Sequence, residues 1–245
     1  SAPVNACNPL WEQFDRRPDM RTATPGRTTR LAIVGHSLGA MAVSYVQSID
    51  DRVAAVVALD KLNAEASSTG TLFNTPVAAA PIVPAMGIQS EYGFNVAPYF
   101  ANLGIFNFDG LSSPDQAPDP YREVKTGYNA WKEAGVDTMV IVPRASTHLE
   151  YTDIPWVLPA SRYGQDVASY YTQAWLAKYL KHDPTADAAL LATSFRYLEP
   201  AGMSYWRSVT LNRADRLSFY FCSGYDFATL SGTRAVDDDI AGITE

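Results

Sequence analysis

Three stretches of this 245-residue chain are apolar without alternation: Arg30-Leu-Ala-Ile-Val34, Val53-Ala-Ala-Val-Val-Ala-Leu59 and Asp137-Thr-Met-Val-Ile-Val142. A strand with one wet face alternates apolar and polar residues, so continuous runs belong to strands covered on both faces. Ala85-Met-Gly-Ile88 reads the same way after the proline-rich approach Pro76 to Pro84. Helical composition lies between and after them: Ala40 to Val46, Pro120 to Ala134 with Gly135 as its stop, and the amphipathic stretch Val167 to Lys181. Strands alternating with helices predict the α/β class, a mostly parallel sheet flanked by helices. With no internal repeat, residues 1–245 read as one domain with its core at 30–181. Residues 92–118, rich in Gly, Asn, Asp, Pro and aromatics, read as a loop or cap insertion. Residues 185–245 read as a C-terminal extension, with a short helix over Ala186 to Ala192, an added strand over Arg216 to Phe221 and a frayed end that includes Asp237-Asp-Asp239.

Composition removes several classes of function. A net charge of −7 argues against a sequence-independent grip on phosphate backbones, which requires clustered Lys and Arg. Nucleic acid is therefore not an expected partner. No apolar run approaches the roughly 18 to 20 residues of a membrane span, since the longest, Val77 to Met86, is interrupted by Pro81 and Pro84. Two cysteines, Cys7 and Cys222, are too far apart in sequence for a metal or redox pair. The low Lys content, the many tyrosines and the Ser-Ala-Pro start read as an exported, secreted or periplasmic chain, in which the two cysteines would form one bridge; in a cytosolic chain both would be free thiols.

The chemistry is concentrated in Gly35-His-Ser-Leu-Gly39, a G-x-S-x-G pentapeptide. The bare pattern arises by chance in roughly one chain of this length in twelve, so its placement decides. It sits between a buried strand and a helix, where a tight turn lifts the Ser37 hydroxyl off the sheet edge and both flanking glycines relieve crowding across the turn. The N–H of Leu38, at the start of the helix, is then directed at a developing oxyanion.

A serine hydroxyl needs a base, and the chain has three histidines. His36 is aimed away from Ser37 by its neighbouring backbone position, and His182 closes a surface helix. His148 remains, in the loop that leaves the last strand of the core. The base needs a carboxylate to orient it. Glu91, after the next-to-last strand, is the first choice; Asp60, one strand earlier, is the alternative acid, and Asp153 a third. No zinc ligand set is visible and Gly35 to Gly39 lacks the Lys-Ser/Thr of a phosphate cradle, so neither a metal nor an organic cofactor is expected. The rings of Phe94, Tyr99, Phe100, Phe106 and Phe108 read equally well as an acyl or aryl pocket and as core cover.

Leu31-Ala-Ile-Val-Gly-His-Ser-Leu-Gly-Ala40, the strand ends Leu59-Asp-Lys61 and Ile88-Gln-Ser-Glu91, and Ser146-Thr-His-Leu149 together resemble the α/β-hydrolase superfamily, and within it the secreted bacterial esterase, lipase and polyester hydrolase branch. The resemblance covers roughly Arg30 to Lys181. It implies a triad of Ser37, Glu91 and His148, and an acyl-enzyme route for cleaving small-molecule or polymeric carboxylic esters. Two alternatives are acyl transfer by the same triad and a catalytically silent binding module. The sequence departs from that branch in having Gly93 where an acid is usual. It also has only 36 residues before Ser37, where several strands are usual. The chain therefore reads as the C-terminal two-thirds of the fold, needing an N-terminal segment or companion chain to complete its sheet and unable to fold stably alone.

Overall fold

The computed structural model describes residues 31–64, 79–92, 118, 123, 125–152, 163–200 and 205–243. Four of the strands, β1 (Leu31–His36), β2 (Val53–Leu59), β3 (Ala85–Ile88) and β4 (Thr138–Ile141), pair in parallel in chain order. These are the runs without alternation, and both faces of the central strands are covered. Val57, Met86, Ile88, Met139 and Ile141 pack on one side against Val167, Tyr171 and Trp175 of helix α3 (Gly164–Leu176). On the other side Val56, Ala58 and Ala85 pack against Ala40 and Val43 of α1 (Leu38–Ile49) and Trp131 of α2 (Thr126–Glu133). The architecture is α/β, a mostly parallel sheet with flanking helices. Among the described residues no helix is long and apolar enough to cross a membrane.

The crossover from β2 to β3 is tied down by a small number of satisfied polar groups. The buried Gln47 of α1 donates to the Ala80 carbonyl at 2.7 Å and accepts the N–H groups of Ile82 and Val83, while the Trp131 indole donates to the Val83 carbonyl. Together they fix the proline-rich approach to β3. After β2, Leu62 is buried where Gly87 and Gly127 leave room for it: a Cβ on Gly127 would lie 2.4 Å from the Leu62 carbonyl oxygen. That contact anchors the segment that follows Asp60.

The C-terminal part differs from the sequence expectation in three respects. Helix α3 runs on into a wider turn over Ala177–Lys181 and stops at His182, which has φ of 52°, and α4 (Ala186–Leu191) follows as expected. A hairpin of β5 (Ser194–Pro200) and β6 (Trp206–Asn212) comes next, unforeseen because among the described residues its inner face contributes only Phe195 and Leu211 to the buried core. The segment Arg216 to Phe221 is not a strand. Leu217 makes an isolated bridge to Pro143, after which the Ser218 hydroxyl accepts the N–H groups of Tyr220 and Phe221 and bends the chain. The added strands are β7 (Gly224–Ala228) and β8 (Arg234–Asp237), antiparallel, giving the sheet order β1-β2-β3-β4-β7-β8. The end expected to fray is instead held: Tyr128 donates to Asp238 at 2.8 Å, Lys132 pairs with the same carboxylate, and Ile240 is buried. Cys7, Asp153, the Pro120 helix start and nearly all of the 92–118 insertion lie outside the described residues.

Candidate active site

The parallel register sets the positions of the polar residues. His36 pairs with Leu59, Leu59 with Ile88 and Ile88 with Ile141, so one straight row marks the C-terminal edge of the four strands. The ladder continues one step beyond it: the Ser37 N–H donates to the Leu59 carbonyl at 3.0 Å, the Asp60 N–H to Ile88 at 2.7 Å and the Gln89 N–H to Ile141 at 2.8 Å. Ser37 and Asp60 are thus the first residues past adjacent strands, one strand spacing of about 4.8 Å apart. Glu91 is three residues past the next strand.

Ser37 sits at φ 58°, ψ −119°, a backbone conformation that non-glycine residues seldom adopt, and it stands at the N-cap of α1 without capping it through its side chain. Its hydroxyl is therefore not spent on the helix. The sharp turn explains Gly35, where a Cβ would lie 2.2 Å from the Gly39 carbonyl oxygen. Gly39 differs from expectation: among the described residues nothing approaches within 4 Å of a Cβ built there, so the turn requires one glycine on steric grounds rather than two.

The loop after β4 brings His148 back across β3 and β2. Its Nε2 lies 2.9 Å from Ser37 Oγ and its Nδ1 lies 2.6 Å from Asp60 Oδ2. An ionised carboxylate can only accept, so Nδ1 carries the proton and Nε2 presents its lone pair to the serine hydroxyl. The second Asp60 oxygen accepts the N–H of Ser90 at 3.0 Å, which fixes the carboxylate orientation. The Asp60 side chain is 4% exposed and that of His148 is 21% exposed, so one end of the chain of hydrogen bonds is dry and the other is accessible.

The structure pairs His148 with Asp60 and not with Glu91, the sequence's first choice. The Glu91 carboxylate is turned toward the loop before the histidine, where Oε2 accepts the Ala145 N–H at 2.5 Å. Chain order favours Glu91. Register overrides it, because His148 lies against Ser37 at the end of β1 and the strand beside β1 is β2. Burial holds the Glu91 carboxyl above its ordinary range, against the opposing pull of Ser218, the Ala145 N–H and the Arg144 guanidinium.

His36 is closer to the site than the sequence implied. Its Nε2–H donates to the backbone carbonyl of His148 at 2.7 Å, and the two rings lie 4.6 Å apart between centroids. Burial pushes its pKa down, which keeps it a neutral donor. Nothing in the sequence marks this contact, which depends on the path of a loop more than a hundred residues away. Leu38 is the first residue of α1, so its N–H is among those with no acceptor inside the helix. His182 stays at the helix end, as expected. No protein-family model matches the chain, and no curated protein is significantly similar to it in sequence.

Proposed function

We propose that this chain is a serine hydrolase that cleaves carboxylic esters through an acyl-enzyme on Ser37, on a sheet of the α/β-hydrolase type. The observation that carries the reading is the continuous line Ser37 Oγ, His148 and Asp60, at 2.9 and 2.6 Å, on a turn whose backbone is strained at the nucleophile. A half-buried serine-histidine pair serving only structure would not require φ of 58° at the serine.

In the proposed reaction the Ser37 oxygen attacks the ester carbonyl as its proton passes to His148 Nε2. Asp60 stays ionised and stabilises the imidazolium through Nδ1–H. The Leu38 N–H donates to the oxyanion, a contact of the kind worth about 10² to 10³ in rate. The imidazolium then gives its proton to the leaving alcohol, and the acyl group stays on Ser37. Water enters, loses a proton to the same Nε2 and attacks the acyl carbon; collapse of the second tetrahedral species returns the proton to Ser37 and releases the acid. All proton transfers run through one imidazole, so the route needs neither metal nor organic cofactor.

A fluorophosphonate probe with mass mapping tests the nucleophile. The expected result is stoichiometric modification of Ser37, absent in Ser37→Ala, together with turnover of at least one member of a p-nitrophenyl ester series from acetate to palmitate. An unmodified Ser37 in folded protein would overturn the reading. The same series, run beside an amide and a soluble polyester, assigns the substrate class.

A further inference from the structure

Glu91 has no place in the proposed reaction, yet it is almost fully buried at the catalytic edge. Its surroundings show what it holds. Beyond β3 the chain runs alongside the loop that leads to His148: the Glu91 N–H donates to Ser146 Oγ at 3.0 Å, and the Tyr92 N–H donates to the Ser146 carbonyl at 2.9 Å. Ser146 Oγ in turn donates to the Pro143 carbonyl at 2.6 Å, which closes the turn over 143–146. Inside that turn Ala145 is left-handed, with φ of 56°, a conformation an alanine does not choose. The Glu91 carboxylate accepts the N–H of that same residue.

On the other side of Glu91 lies the segment that follows the bridge at Leu217. The Ser218 hydroxyl and the Phe219 N–H both favour the charged carboxylate, and the Arg144 guanidinium stacks 3.4 Å from the centre of the Phe219 ring. Arg144 also donates to the carbonyls of Leu217 and Ala214. One carboxylate thus ties the β3 end to the histidine loop and faces the segment before β7.

We infer that Glu91 is a positioning residue that sets the reach of His148 by holding Ala145 in its left-handed turn. This rests on the proposed hydrolase reading, in which His148 must meet Asp60 and Ser37 simultaneously. Two residues, Ser146 and Thr147, separate Ala145 from His148, and both are buried. The other side of His148 is fixed by His36 through its carbonyl, so the imidazole is clamped from both directions. Relaxing the Ala145 turn moves one clamp and leaves the other in place. A misplacement of about 1 Å at such a site costs on the order of 100-fold in rate.

The experiment compares Glu91→Gln, Glu91→Ala and Glu91→Ala combined with Ala145→Gly, each assayed well below its own Tm for fluorophosphonate labelling rate and for ester kcat and KM. Glu91→Gln keeps an oxygen for the Ala145 N–H and is expected within about threefold of the parent. Glu91→Ala is expected to lose about 10- to 100-fold in kcat with KM within about twofold. Glycine takes the left-handed conformation freely, so Ala145→Gly is expected to restore most of that loss. A Glu91→Ala protein with parental kcat would overturn the inference by making Glu91 merely structural. Glu91→Gln as damaged as Asp60→Asn would overturn it by giving Glu91 a charged role. If Glu91→Ala does not fold, the Gln variant and the double variant still decide. A second readout is independent of turnover: the low-field NMR signal of the His148 Nδ1 proton. It is expected in the parent, weakened in Glu91→Ala and restored in the double variant. If the parent fails to label, the hydrolase reading falls, while persistence of that signal in Glu91→Ala would by itself overturn the clamp.

Discussion

Asp60 and Glu91 are carboxylates at neighbouring strand ends, both buried and both within a few residues of the parallel ladder, yet they meet different partners. Asp60 accepts from the ring of His148 through Nδ1 as well as from the Ser90 N–H, whereas Glu91 accepts from the Ala145 N–H and meets the Ser218 hydroxyl, with no imidazole beside it among the described residues. In the proposed reaction the contact with His148 orders the group that carries protons, and in the inference drawn above the contact with Ala145 orders the loop that carries that group. Burial alone does not tell the proposed catalytic acid from a brace; contact with the imidazole does.

The comparison breaks most readily at its strongest point. Asp60→Asn is expected to lower kcat by about 10⁴, because an amide on Nδ1 favours the wrong tautomer while geometry is kept. Measured beside Glu91→Gln on the same ester, the two should differ by more than about three orders of magnitude. Equal losses would erase the distinction, and a larger loss at Glu91 would reverse it.

Much of this edge is legible in the sequence because it is local. The pentapeptide between a continuous apolar run and a helix locates Ser37, and the scarcity of histidines leaves His148. The carboxylate beside His148 is legible only as a choice between Glu91 and Asp60, since it depends on which strand lies under a returning loop, and strand-end residues in a sequence carry no record of that path. Chain order is a proxy for it, and the proxy points at Glu91. The same limit applies to the C-terminal strands: Arg216 to Phe221 has strand composition, but the Ser218 hydroxyl satisfies two backbone N–H groups and diverts the chain before β7. Asp238 looked frayed because its partners, Tyr128 and Lys132, are more than a hundred residues away.

The β1 end offers the next test. Gly35→Ala places a methyl against the Gly39 carbonyl and is expected to destabilise by about 3 kcal/mol or more, with loss of labelling at Ser37. Gly39→Ala has no such neighbour among the described residues and is expected to change stability by less than about 1 kcal/mol, in the stabilising direction because the site is helical. Denaturant midpoints of the two variants check this directly, and comparable losses would show that the turn needs both glycines.

His36 sharpens the comparison from the opposite side of the imidazole. His36→Phe keeps a ring beside His148 and removes the donor to its carbonyl, so kcat is expected to fall about 10-fold, roughly 1.4 kcal/mol, with little change in KM. A variant with parental kcat would leave the loop turn as the sole clamp.

The smallest effect is in stability against pH, and the two braces should show opposite signs. Burial raises the Glu91 pKa above its ordinary 4.5, so between 4.5 and the raised value the folded protein binds more protons than the unfolded chain. Stability attributable to Glu91 therefore falls as pH rises through that window and is level above it. Burial lowers the His36 pKa below its ordinary 6.5, so between the lowered value and 6.5 the unfolded chain binds more protons. Stability attributable to His36 rises with pH through that window and is level above 6.5. Urea midpoints from pH 4 to pH 8 separate the two. Relative to the parent, Glu91→Gln should gain stability as pH rises from 4.5, and His36→Phe should lose stability as pH rises toward 6.5. Trends of the same sign would mean that one brace is held by its charge partners more strongly than it is penalised by burial. The Arg144 guanidinium, the Ser218 hydroxyl and the Phe219 N–H make Glu91 the one to suspect.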